Sequence, residues 1–367
     1  MGRIVAGAGR RTPARRRSVV VGGSGRRRMR AAVLHGPRDL RVRDDVPVPA
    51  PGPGELLVRT TAAAICNATD VHIWSGEIGE EVRPPFPHVL GHERAGVVEA
   101  VGEGVEGFGV GDRVACWSKM DGAFGEYDLL RPAEFPTVRL RDDVSDDAGA
   151  MLEFVGATLR GLEAARLEPG ERVLVLGQGV QGLTLAQEAK LRGARQVVGV
   201  DRIAARLERA ASLGVDATYD LTGRSWDRAL EELRSVLAGG EADVVIDAAG
   251  AGGWPGGNSV NLALELVRWS GRYVVYALPT RDLTVNARLI ALKGIRVQGI
   301  DTPPHEVGRL LEEGQRWVAE GRLELEGLIT HRVPLEGIED GLARCRDRPD
   351  ETLKVMVDVG NGSARRC

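Results

Sequence analysis

Residues 173–182 read VLVLGQGVQG, and the fold follows from them. Four consecutive aliphatic residues with no polar alternation make a strand buried on both faces, which belongs in a parallel sheet covered by helices. The strand runs into Gly177-Gln178-Gly179-Val180-Gln181-Gly182, a G-x-G-x-x-G turn, and then into the helical pattern LTLAQEAKLRG. In that setting each glycine has a task. The first permits the tight turn, the second lets backbone approach a pyrophosphate, and the third lets the helix close on the sheet. The N–H groups opening the helix then face the anion. Asp201 ends the next strand, QVVGVD, roughly twenty residues beyond the last glycine, where the dinucleotide fingerprint places a ribose-binding carboxylate. The expected cofactor contacts are Gly177, Gly179, Val180, Gly182, Asp201, Arg202 and Arg206. A carboxylate at 201 repels a 2′-phosphate by on the order of 4 kcal/mol per unit charge at 4 Å and an effective dielectric of 20, which favours NAD over NADP. Arg202 would soften that repulsion, and Asp201 also suits a helix N-cap.

Downstream the alternation continues. IAARLERAASLG, RSWDRALEELRSVL and VNLALELVRWSG have helical texture, while DVVIDAAG, RYVVYAL and IRVQGI are strand-like, so an α/β, doubly wound parallel sheet is expected over 158–300. Upstream the texture differs. From Met29 onward come short strands bounded by glycine, proline and acidic residues, including ELLVRTTAAA, GVVEAVGEGV, DRVACW and FGEYDLLRP, which make a compact β module. DDAGAMLEFVGATLRGLEAARL is a helix with an acidic start, and the last strands, ITHRVPL and LKVMVDV, are expected to return to the β module. The division is therefore 29–157 with 301–360 for the β domain and 158–300 for the nucleotide domain.

A chain of 367 residues with 43% hydrophobic content suits two soluble domains. The net charge of −3 is uneven: residues 1–28 hold nine arginines and no acid, which leaves −12 on 29–367. An acidic body excludes a nucleic-acid-binding core, and no apolar run is long enough to span a bilayer. The basic stretch 1–28 is expected to be a disordered or wrongly included extension, with translation starting at Met29. The four cysteines, Cys66, Cys116, Cys345 and Cys367, lie too far apart in sequence to make a disulfide framework, which suits a reducing cytoplasm.

The second chemical signal is PHVLGHERAG at 87–96, in which His92 and Glu93 stand in a glycine-bounded turn. Cys66 precedes it and Glu153 follows. Thiolate and imidazole with carboxylates suit Zn²⁺, provided one position stays open for substrate. Together, Cys66, Gly91-His92-Glu93, Glu153, the glycine turn, GDRV at 111–114, VVIDAAG at 244–250 and ITHRVPL at 329–335 resemble the zinc-dependent medium-chain dehydrogenase/reductase superfamily, in its sorbitol- and threonine-dehydrogenase-like branch. The resemblance runs from Met29 to about Gly360. It implies a GroES-like β domain on a Rossmann domain, one catalytic zinc on Cys66, His92, Glu93 and Glu153, and reversible NAD-linked oxidation of a secondary alcohol, polyol, sugar or cyclitol. It also implies a proton relay through Thr69 and His72, with Glu93 acting directly or through water.

Three departures stand out. Cys66-Asn67-Ala68-Thr69-Asp70-Val71-His72 carries one residue more than the family pattern, so the relay requires the extra residue to bulge from the turn. Phe154 follows Glu153 where that branch usually has proline. Residues 115–121 form a short connection with Cys116 alone, so no structural zinc is expected. Trp74 and Trp117 read as packing residues. The alternatives are a zinc-free reductase of the same superfamily and a dinucleotide-binding protein without turnover. A homodimer or homotetramer, built by pairing residues 295–300, is also implied.

Overall fold

The computed structural model describes residues 27–78, 84–117, 120–250, 253–254, 257–279, 282–301 and 303–360. Residues 1–26 of the basic stretch, and Cys367, lie outside them. Arg28 already belongs to the first strand, Arg28–Gly36, and Arg27 pairs with Glu99 at 3.0 Å.

The strand Arg172–Leu176 sits near the middle of a six-stranded parallel sheet. Its neighbours run in the order Ala217–Asp220, Gln196–Asp201, Arg172–Leu176, Ala242–Asp247, Val267–Val275, Arg296–Gly299. In chain order this is 3-2-1-4-5-6, so the topology reverses beside the first strand and leaves a crevice above the strands' carboxyl ends. Val173, Leu174, Val175 and Leu176 are all buried, as their unbroken apolar run requires. VNLALELVRWSG divides differently from its sequence pattern. The helix stops at Leu266, and residues from Val267 join the strand Val267–Val275 through a register shift against Ala242–Asp247. Pairing with the central sheet overrides the helical texture there.

The β module is built on Leu56–Ile65, which pairs with Glu93–Val101 on one side and with the C-terminal Lys354–Asp358 on the other. The chain's end therefore returns to the first module, and Val355 lies opposite Ile65. A smaller sheet of Arg28–Gly36, Asp39–Pro47 and His88–Val89 holds the segment that leads to His92.

One helix, Asp146–Ala164, joins the two halves and runs through the expected boundary at 157/158. Ser145 caps it by accepting from Ala148 N at 3.1 Å, with Asp146 and Asp147 in the first turn. Its apolar residues share one core with both sheets and with the helix Pro304–Ala319. Gly156 and Gly161 let neighbours close in: a Cβ on Gly161 would meet the Tyr276 ring at 2.9 Å.

Candidate active site

The glycine turn is accounted for atom by atom. Gly177 has φ +87, and a Cβ there would lie 2.8 Å from Ala249. A Cβ on Gly182 would lie 1.8 Å from the Gly177 carbonyl oxygen, so the helix packs against the turn itself. Gly179 is different, because a Cβ there would meet only Arg206 Nη1, at 3.7 Å, leaving open the space a pyrophosphate needs. Val180 begins the helix Val180–Leu191 and is buried.

Asp201 braces the turn. Its Oδ2 accepts from Gln178 N at 2.6 Å, and its Oδ1 from Arg202 N at 2.6 Å and Ile203 N at 3.0 Å. Arg206 lies 3.8 Å from that carboxylate and donates to the Pro349 carbonyl at 2.8 Å, while burial lowers its pKa against the pull of Asp201. Arg202 is exposed.

At the other corner, Cys66, His92 and Glu93 are buried, and one ligand atom from each lies within 4.8 Å of the others. Asp70, absent from the sequence reading, organises them. Fully buried, it accepts from Cys66 N at 2.9 Å through one oxygen and stands 2.8 Å from His92 Nδ1 through the other. His92 Nε2 is thereby left for the cluster, an arrangement usual for metal-binding histidines. Burial opposes a charged His92, yet Asp70 and Cys66 outweigh it and raise the pKa well above the ordinary value. A soft thiolate, an oriented imidazole and carboxylates fit Zn²⁺.

Glu93 has a second partner that sequence reading missed. Lys354 Nζ, also buried, stands 2.8 and 3.0 Å from its two oxygens, donates to the Ile65 carbonyl at 2.9 Å and lies 4.8 Å from the centre of the Phe154 ring. Burial lowers the Lys354 pKa, but Glu93 and Cys66 together raise it. Glu153 stands outside the three-residue convergence. Burial pushes its carboxyl up to about 7, partly offset by His92 and Lys354 and reinforced by Glu93 and Asp70.

Ala68 is exposed and immediately precedes the helix Thr69–Ser75. Thr69 N donates to Cys66 Sγ at 3.4 Å, so Thr69 touches the cluster. His72 points elsewhere: its Nδ1 is 2.7 Å from Glu77 Oε2, and among the described residues no hydrogen bond joins it to Thr69. Trp74 is buried, with Arg38 and Arg346 stacked on its ring, and Trp117 packs over Gly156.

Residues 52–157 match the alcohol dehydrogenase GroES-like domain, and residues 181–315 match the zinc-binding dehydrogenase domain. Sorbitol dehydrogenase of Bacillus subtilis (strain 168) is 30% identical over 358 residues, spanning 90% of this chain and 97% of that protein. The chain belongs to the zinc-dependent medium-chain dehydrogenase superfamily. Its fold is accordingly a GroES-like domain joined to a Rossmann domain. Human sorbitol dehydrogenase is likewise 30% identical, over 83% of this dehydrogenase and 89% of its own length. Among solved structures, an alcohol dehydrogenase from Thermus sp. ATN1 matches with a TM-score of 0.74 at 28% identity, covering 90% of this chain and 99% of its own. A zinc-binding dehydrogenase from Sinorhizobium meliloti 1021, bound to NADP, matches with a TM-score of 0.77 at 25% identity over the same shares.

Proposed function

We propose that this dehydrogenase oxidises a secondary alcohol of a polyol, sugar or cyclitol with NAD, at a catalytic zinc held by Cys66 and His92 with Glu153 and Glu93 beside it. The observation that carries this reading is the buried convergence of Cys66, His92 and Glu93. It disfavours the zinc-free reductase. Bound there, zinc supplies Lewis acidity toward an alcohol oxygen.

The chain's own residues do the rest. Asp70 fixes the His92 tautomer by accepting the hydrogen bond from Nδ1–H and ties the Cys66 backbone to the same carboxylate. Lys354 balances the Glu93 charge and leaves that carboxylate a choice of partner. Glu153, buried on the joining helix, would offer a further carboxylate to the ion. Thr69, whose backbone N–H meets the Cys66 sulfur, and His72, which pairs with Glu77, are the residues that would relay the substrate proton toward solvent.

For cofactor choice, three backbone N–H groups hold the Asp201 carboxylate in place, so it cannot swing away from a 2′-phosphate. We therefore expect kcat/KM with NAD to exceed that with NADP by about a hundredfold, the repulsion above being partly offset by Arg202. A polyol and alcohol panel followed by NADH or NADPH absorbance tests both claims. Comparable efficiency with the two cofactors contradicts the choice, and no turnover by zinc-loaded protein contradicts the activity.

A homodimer or homotetramer is proposed through the edge strand Arg296–Gly299, all four of whose residues are exposed. Leu278, Leu292 and Val297 are also exposed large apolar residues. The cytoplasm is the proposed compartment: no described helix is long and apolar enough to cross a membrane, and Cys66, Cys116 and Cys345 are free thiols.

A further inference from the structure

Behind the ligand turn lies a buried ion pair that the reaction does not use. Arg94 follows Glu93, and its Nη1 is 2.5 Å from Asp128 Oδ2, with side-chain exposures of 1% and 3%. The same nitrogen donates to the Asp121 carbonyl at 3.1 Å, and the guanidinium also reaches the Cys116 thiol. A charge pair so far from water is poor value for stability alone, because apolar residues of similar volume do as well or better. Such a pair fits a positional task.

The contacts around it show what it positions. The Asp128 carboxylate covers the α-carbon of Gly122, at φ +95, where a Cβ would come within 2.3 Å. From Gly122 onward the chain grips the ligand turn. Gly122 N donates to Val89 O at 2.8 Å, Phe124 N to Leu90 O at 3.0 Å and Ala123 N to Gly91 O at 3.0 Å, which covers the three residues before His92. The Phe124 ring then closes over Gly91, at φ +99, where a Cβ would lie 2.7 Å from the ring. Arg94 thus ties the strand leaving the turn to the segment that clamps the strand entering it.

We infer that Arg94 and Asp128 are positioning residues for the metal corner, setting the aim of His92 and Glu93 by locking segment 121–124 against 89–91. The inference rests on the zinc reading and concerns how firmly these residues hold the ion. Residues 115–121 contain a single cysteine, so the wall is fastened by this pair and not by a metal-bound cysteine cluster.

The test compares full-length wild type with the double variant Arg94→Met/Asp128→Leu, which removes the pair without stranding either charge. Zinc release into a chelator should be faster by about tenfold or more, the range seen when residues supporting a metal ligand are lost. The thiolate-to-metal absorption of the cobalt-substituted protein should shift. NAD affinity, read by fluorescence, should stay at the wild-type value, which general loosening would not allow. Release and cobalt spectrum matching the wild type in a folded double variant overturn the inference. If that variant does not fold, Arg94→Lys carries the test: release about threefold faster supports the inference, and unchanged release overturns it. A wild-type protein that takes up no metal overturns the zinc reading and this inference with it, whereas a metal-loaded wild type with unaltered variants overturns the inference alone.

Discussion

The nucleotide turn and the metal corner are built on opposite plans. The turn is local: six consecutive residues and one carboxylate form it, and backbone does most of the work. The corner is assembled from afar. Cys66 and Asp70 come from the end of one strand and the helix after it, His92 and Glu93 from a turn, Glu153 from the joining helix, and Lys354 from the strand that returns at the chain's end. A backbone site shows itself in glycines at fixed spacing. A side-chain site shows its ligands and hides what supports them.

If that contrast is right, single substitutions should act differently in the two places. The largest effect is expected at Cys66→Ala, which removes the one soft ligand: bound zinc should fall below about a tenth of an equivalent and turnover by about a thousandfold or more, while NAD affinity holds. Metal analysis beside cofactor titration checks this, and joint loss of zinc and NAD would break the separation. Lys354→Met comes next. It leaves the Glu93 carboxylate buried without its cation, so urea unfolding of metal-free protein should show a loss of about 3–5 kcal/mol. A loss below about 1 kcal/mol would mean that the pair does not hold the returning strand in place.

In the turn, Gly182→Ala drives a Cβ into the Gly177 carbonyl, so something must shift. The expected cost is about 1–3 kcal/mol of stability, with weaker NAD binding and wild-type zinc content. Loss of zinc in that variant would show that the two sites are coupled.

The effect most confined to one group, and absent at acid pH, is a pH dependence at Glu188, on the helix after the turn. Burial holds this carboxyl well above its ordinary range, against Thr158, whose hydroxyl is 2.8 Å away, and the charge of Arg192. The folded chain keeps this proton after the unfolded chain has released it. Stability contributed below the ordinary carboxylate pKa is therefore lost as pH rises toward the folded value, by up to about 1.4 kcal/mol per pH unit. Glu188→Gln should be the more stable protein at pH 8, with the advantage fading as pH falls to about 4. Parallel stability curves in urea would contradict the neutral form.

How much could be read in advance follows from the same contrast. The strand and turn at 173–182, the alternation after them and the return of the last strands were legible because each is a local pattern. Cys66, His92 and Glu93 were legible as residue types that bind metal, and the three converge. Asp70 was not, since an acid at a helix start already has an ordinary use. Lys354 left one signal, a lysine inside the apolar strand LKVMVDV, where burial demands a partner. Thr69 and His72 were legible as residues able to carry a proton; that Thr69 meets Cys66 through its backbone N–H and that His72 pairs with Glu77 was not, since both depend on how the helix Thr69–Ser75 is set. The expected boundary at 157/158 lies inside a helix because that helix packs in one core against both sheets.

The central claim is that the buried corner binds zinc for NAD-linked oxidation of a polyol. Its most direct test is zinc content and NADH formation on a polyol panel, measured on the purified protein, after chelation and after zinc is restored. The account predicts about one zinc per chain, activity lost on chelation and recovered on restoration. Polyol oxidation that continues undiminished in protein stripped of metal would contradict it.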